Sequence, residues 1–133
     1  MMQLSQVARA VNGRPSRPLG SETVTGVSTD TRSIRAGDLF FALRGASFDA
    51  HNFLGQAFEK GALAAIVDRE VPSPGLTIAV GDTLEALGTL AAAYRMTLGA
   101  RVIGVAGSNG KTTTKEMIAH VLGRDRRLIK AQG

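Results

Sequence analysis

The chain has 133 residues, 44% hydrophobic and 20% charged, with no cysteine and no tryptophan. These are the proportions of a folded globular protein; they exclude a disulfide framework and thiolate chemistry, and 5% aromatic residues leave too few rings for a single-stranded nucleic-acid platform. Nine basic and nine acidic residues balance over 1–100, whereas seven basic against two acidic residues in 101–133 carry the whole net charge of +5.

The opening MMQLSQVARAVNG lacks a basic start followed by an apolar block, so no signal peptide is expected. Leu4, Val7, Ala8 and Val11 recur at helical spacing, which predicts a short helix with Ser5 near its start as a cap. Gly13-Arg14-Pro15 stops it, and Ser16 to Glu22 reads as a loop. Thr23 to Ser28 alternates with β-branched residues and reads as a strand. Asp38 to Leu43 is a second strand, its continuous apolar run pointing to burial on both faces. Between them lies a loop in which Asp30 and Arg32 suit a turn pair. A second loop, Arg44 to Asn52, carries Arg44, Ser47, Asp49 and His51 between Phe48 and Phe53. His51 has no cysteine or second histidine at ligand spacing, so a zinc site is not expected and the ring reads as a structural hydrogen-bonding partner.

Asn52 to Gly61 places Phe53, Leu54, Ala57 and Phe58 on one face of a helix ending at a glycine. Ala64 to Val67 is a strand, Val71 to Gly75 a turn, and Thr77 to Val80 another strand. Thr83 to Leu98 is the longest helix, with Asp82 or Thr83 as cap and Leu84, Leu87, Leu90, Ala91 and Tyr94 as its apolar face. No run of about 18 apolar residues exists, so no membrane span is expected. A domain boundary is expected near Leu98 to Arg101, giving domains 1–99 and 100–133. The fold class is α/β: a small N-terminal α/β domain followed by the start of a second α/β unit.

That second unit opens with an apolar run, Val102 to Ala106, expected as a strand. Gly107-Ser108-Asn109-Gly110-Lys111-Thr112-Thr113 follows, and then a helical pattern with Met117, Ile118, Val121 and Leu122 on one side. Strand, glycine loop, Lys-Thr and helix is the layout of a phosphate-binding P-loop. Glycines let successive backbone N–H groups approach phosphate oxygens, and the helix start adds unpaired donors and the positive end of its dipole. Lys111 supplies a point charge to the β- and γ-phosphates of ATP, and the Thr112 hydroxyl is the expected ligand of Mg²⁺. The spacing departs from the general G-x-x-x-x-G-K-[ST] form, because position 105 is valine and glycines stand at 104 and 107. Arg124, Arg126 and Arg127 read as a solvated turn. Arg127 to Ala131 is expected to begin a further strand. One strand, one helix and part of another strand cannot cover a P-loop domain's first helix, so a fragment of a longer protein is expected.

GVAGSNGKTTTKEM, with the shorter spacing G-x-x-G-K-[ST] from Gly107 to Thr112, resembles the ATP-binding loop of the Mur ligase family. Upstream, Val27-Ser28-Thr29-Asp30-Thr31-Arg32, then Ala36-Gly37-Asp38-Leu39-Phe40-Phe41-Ala42-Leu43-Arg44-Gly45, then Phe48-Asp49-Ala50-His51-Asn52-Phe53, resemble the opening of the family's UDP-binding domain. Ala50 stands where relatives mostly have glycine, and Ala36 where they often have proline; neither touches a charged group. Within the family, Ser108-Asn109 and Thr114-Lys115-Glu116-Met117 are most similar to the members that add D-alanyl-D-alanine. The resemblance implies a UDP-substrate-binding domain over 1–99 and the incomplete start of the central ATP-binding domain over 100–133. It implies an ATP-dependent amide ligase of bacterial peptidoglycan synthesis, acting in the cytoplasm on UDP-N-acetylmuramoyl-tripeptide and D-alanyl-D-alanine through an acyl phosphate, with this chain alone inactive. Ser28, Thr29, Asp30, Arg32, Arg44, Gly45, Phe48 and His51 are then expected at the UDP part of the substrate. Gly107, Ser108, Asn109, Gly110, Lys111, Thr112 and Thr113 are expected at ATP, with Lys111 catalytic. The alternative is a stand-alone module that binds a UDP-sugar or nucleotide without turning it over; a nucleic-acid partner is not expected.

Overall fold

The computed structural model describes residues 1–131, so Gln132 and Gly133, the last two positions of the expected second domain, lie outside the described residues. The chain forms two compact units that meet between Gly99 and Ala100.

The first unit is α/β. Strand β1 (Met2–Gln3) runs into helix α1 (Leu4–Ala10); β2 (Arg14–Pro15), β3 (Thr23–Val24), β4 (Gly26–Ser28) and β5 (Asp38–Phe41) follow. A 3₁₀ turn (Ala50–Phe53), α2 (Leu54–Glu59), β6 (Ala64–Val67), β7 (Thr77–Ala79) and α3 (Thr83–Thr97) complete it. The main sheet has the order β2-β7-β6-β5-β4. Strands β4 to β7 are parallel neighbours, and β2 closes one edge antiparallel. A separate antiparallel ladder joins β1 and β3, with Met2 opposite Val24.

All four residues of β5 and all four of β6 are buried, as expected for parallel strands covered on both faces. The pleat sends Leu39, Phe41, Ala64 and Ile66 into one cluster with Leu4 and Val7 of α1 and Ala86 and Leu90 of α3. It sends Phe40, Ala42, Ala65 and Val67 into another with Leu54 and Ala57 of α2. The sheet is therefore the middle of three layers.

Several local expectations change. The helix cap is Gln3, not Ser5: the Gln6 Oε1 accepts the Gln3 N–H at 2.9 Å, and the β1–β3 ladder ends where the helix begins. Arg14–Pro15 is an edge strand rather than only a stop signal, in a place where the missing proline N–H costs nothing. The expected strand Thr23 to Ser28 breaks at Thr25, whose N–H donates to the Gly37 carbonyl, so its halves belong to different sheets. On α3, Thr83, Ala86 and Leu90 are buried while Leu84 is 67% and Tyr94 39% exposed. Two apolar stripes compete on that helix, and the tertiary packing selects the one starting at Thr83. Asp82 is the cap, its Oδ1 accepting the Glu85 N–H at 2.8 Å.

In the second unit the only element among the described residues is α4 (Lys111–Leu122), none of whose residues is buried. Neither Val102 to Ala106 nor Arg127 to Ala131 is a strand. A strand is held by a neighbour's ladder, and among the described residues neither segment has one.

Candidate functional site

Because β4, β5 and β6 are parallel, their carboxyl ends deliver three segments to one edge of the sheet, the side on which open α/β sheets bind ligands. After β4 comes Ser28 to Ser33. Ser28 is buried, and its hydroxyl donates to the Asp30 carbonyl at 2.8 Å while accepting the Asp30 N–H at 3.2 Å. Thr29 is exposed. The Arg32 guanidinium grips the Asp30 carboxylate, with Nη2 to Oδ2 at 2.6 Å and Nε to Oδ1 at 3.0 Å. Hydrogen bonding from the Arg32 side chain is the main reason the Asp30 carboxyl is lowered to about 2. The turn pair read from the sequence is therefore present, and Arg32, 87% exposed at its side chain, still presents charge to solvent. Lys60, at the end of α2, donates to the Thr31 carbonyl at 2.9 Å and brings a further cation to this loop.

After β5 comes Arg44 to His51. The loop is pinned by a bridge between Arg44 and Asp49 and by the Gly45 N–H donating to the Phe48 carbonyl at 2.7 Å. Phe48 is exposed but lies against Phe53, ring centroids 5.5 Å apart and stacked. Asp49 caps the 3₁₀ turn by accepting the His51 N–H. Its other oxygen takes the Arg69 Nη2 at 2.5 Å, a contact that holds the Asp49 carboxyl well below the usual carboxylate range. His51 is buried, and both ring nitrogens are engaged inside the protein, Nδ1 with Asp49 at 2.7 Å and Nε2 with the Asp68 N–H at 3.2 Å.

Asp68 and Arg69, directly after β6, were not singled out from the sequence. Asp68 forms an ion pair with Arg44, Oδ2 to Nη2 at 3.1 Å, and Arg69 binds Asp49. Their signal was present: a charged pair ending the apolar run Ala64 to Val67 marks a strand's carboxyl end. Among the described residues no hydrogen bond joins the Ser28–Arg32 group to the Arg44–His51 group.

The second unit holds the expected phosphate loop, residues 107–113. Gly107 and Gly110 adopt φ of 150° and 74°, a region that side chains with a Cβ avoid. Gly110 is the residue before α4, and the first helical bond runs from the Thr114 N–H to its carbonyl. The amides of Lys111, Thr112 and Thr113 therefore precede the helical ladder and are available as donors. Ser108, Asn109, Lys111, Thr112 and Thr113 are all exposed. Lys111 folds back, its Nζ donating to the Gly107 carbonyl at 2.5 Å and facing the Ser108 carbonyl at 3.5 Å. An open cavity of about 530 Å³ borders the loop, lined by Ile103, Val105, Lys111, Thr112, Lys115 and Ile118 among others.

Residues 23–95 match the family described as "Mur ligase family, catalytic domain", and residues 105–133 match "Mur ligase middle domain". This chain belongs to the Mur ligase family. It is 49% identical over 134 residues to the UDP-N-acetylmuramoyl-tripeptide--D-alanyl-D-alanine ligase of Bacillus subtilis (strain 168), covering 98% of this chain and 29% of that protein. A crystal structure of MurF from Acinetobacter baumannii superposes with a TM-score of 0.86 at 38% identity, covering 92% of this chain and 28% of that one. The MurF ligase from Thermotoga maritima in complex with ADP superposes with a TM-score of 0.74 at 34% identity, covering 80% of this chain and 25% of that one. The Mur ligase resemblance carried by the three motifs is thus established, and so is the α/β fold. The chain spans well under half the length of each of these relatives.

Proposed function

We propose that this chain is the front part of the Mur ligase that joins D-alanyl-D-alanine to UDP-N-acetylmuramoyl-tripeptide in bacterial peptidoglycan synthesis, and that alone it binds but does not ligate. The observation that carries this reading is the 49% identity to a ligase of that name across 98% of this chain, with the phosphate loop falling inside the matched length. In this reading 1–99 is the UDP-substrate-binding domain and 100–133 begins the ATP-binding domain.

The loop's geometry suits ATP. Gly107 and Gly110 keep the backbone bare of Cβ atoms, and the leading amides of α4 point donors at phosphate oxygens. Lys111, now on the carbonyls of Gly107 and Ser108, would reach the β- and γ-phosphates, where its charge would offset that spread over the transferring phosphoryl group. When bound, ATP supplies the phosphoryl group that activates the tripeptide carboxylate for attack by the amine of D-alanyl-D-alanine. Thr112 offers one hydroxyl to Mg²⁺. Among the described residues no cluster of three or more His, Cys, Asp or Glu could hold a metal, so in this chain Thr112 and the phosphates would be the Mg²⁺ contacts.

At the sheet edge, Arg32 and Arg44 are the cations for the diphosphate, with Thr29, Gly45 and Phe48 exposed around them. Ser28, Asp30 and His51 act from beneath, by shaping the loops. No helix among the described residues is long and apolar enough to cross a membrane; the proposed place of action is the bacterial cytoplasm, the source of ATP.

Lys111→Ala in the full-length ligase tests the reading: ADP release dependent on both peptide substrates falls by about 10³-fold or more, and wild-type turnover overturns the assignment. A binding module without catalysis is the second reading, favoured by the two complete core clusters of the first unit. It requires a native protein of 13.9 kDa, which intact mass from the source cells decides.

A further inference from the structure

His51 sits in a closed ring of charged groups at the carboxyl edge of β5 and β6. Its side chain is 1% exposed. His51 Nε2 faces both the Asp68 N–H and Asp68 Oδ1 at 3.2 Å, and Nδ1 lies 2.7 Å from Asp49 Oδ1. Asp49 Oδ2 takes Arg69 Nη2 at 2.5 Å, and Arg69 Nη1 returns to Asp68 Oδ1 at 3.5 Å. Asp68 Oδ1 is buried with no hydrogen-bond partner among the described residues. Asp68 Oδ2 holds Arg44 Nη2 at 3.1 Å, and the Arg44 side chain is 58% exposed while that of Asp68 is 9% exposed.

Resting on the reading that this edge receives the uridine diphosphate group, we propose that His51 is a positioning residue: it holds Asp68, and through Asp68 the guanidinium of Arg44, in the pose that receives a phosphate. The argument is one of connectivity. Arg44 is the ring's outlet to solvent, tied down at one nitrogen and open at the others. A guanidinium oriented in advance loses less freedom when it binds an anion. The tie is an exposed-to-buried ion pair, which holds a direction only if its buried end is fixed. Asp68 is only partly held by its side chain, since one oxygen lacks a hydrogen bond. What anchors it is His51 Nε2, which meets both its backbone N–H and its Oδ1 at 3.2 Å. With Nδ1 on Asp49 and Nε2 on Asp68, the imidazole joins the 3₁₀ turn to the end of β6.

Titration calorimetry with UDP on this chain tests the proposal, with far-UV circular dichroism to confirm folding. His51→Gln keeps an acceptor where Nε2 lies and holds affinity within about threefold of wild type; His51→Asn keeps the donor to Asp49, loses the acceptor and weakens UDP by about tenfold. In an Arg44→Ala background the His51→Asn effect shrinks to less than about twofold, because the group it positions is gone. An equal loss in both backgrounds, or equal losses for Gln and Asn, overturns the positioning role and leaves the binding site standing. If His51→Asn does not fold, Asp68→Asn replaces it: about a tenfold loss, absorbed by Arg44→Ala, is expected, and an unabsorbed loss overturns the proposal. Absence of UDP binding by folded wild-type chain overturns the site reading itself, and this inference with it.

Discussion

Replacing Ile66 by alanine tests where the stability of this protein resides. Ile66 is fully buried at the centre of β6, opposite Phe41 of β5 and Ile78 of β7, and all three side chains enter the same cluster. The carbons lost beyond Cβ are worth about 2.5 kcal/mol at about 0.8 kcal/mol each. A cavity term adds to that, because a strand paired on both sides cannot collapse into the space. The sum, about 3–4 kcal/mol, lies within the range for buried Ile→Ala changes. For a unit of this size it lowers Tm by roughly 15–25 °C. On α4, Val121 is 65% exposed and no residue of the helix is buried, so Val121→Ala changes the same free energy by less than about 0.5 kcal/mol. Urea unfolding followed by far-UV circular dichroism measures both. A loss below about 1 kcal/mol for Ile66→Ala with an unchanged m-value, or a comparable loss for Val121→Ala, refutes the view that one sheet carries the fold's stability.

Three other outcomes are expected. Arg32→Ala removes the main cause of the low Asp30 carboxyl, so its titration, followed by carboxyl-carbon NMR, moves from about 2 up toward 3.8. Asp30 and Asp49 both have folded values below the unfolded one; their stabilisation is complete above about pH 4 and fades as pH falls toward 2 and below. Urea midpoints measured across that window fall for wild type and fall less for Arg69→Ala, which releases Asp49 from its strongest partner. Gly75→Ala drives a Cβ into the ring edge of Phe58, so the ring must shift against the α2 cluster at a cost of about 1–3 kcal/mol, read as a lowered urea midpoint.

Much of the site was legible in one dimension because its chemistry is local. In the proposed reading Gly107 to Thr113 wrap a phosphate and must be contiguous, and the positive φ at Gly107 and Gly110 is a demand that glycine alone meets without strain. Asp30 and Arg32 pair at a separation of two residues, so their contact also follows from sequence. The buried strands β5 and β6 announced themselves as unbroken apolar runs, because parallel strands meet apolar layers on both faces.

What the sequence left open was decided by contacts between distant segments. Val102 to Ala106 has the composition of a strand, yet a strand exists only against a neighbour, and none lies beside it among the described residues. Composition likewise offered two faces for α3, and packing on α1 and the sheet chose Thr83, Ala86 and Leu90 over Leu84. The proposed role of His51 was hidden for the same reason. Its partner Asp68 lies 17 residues away and reaches it only because β5 and β6 are parallel neighbours ending at one edge. Residue types set which groups could bind phosphate; the register of the parallel sheet set which of them share a ring of hydrogen bonds.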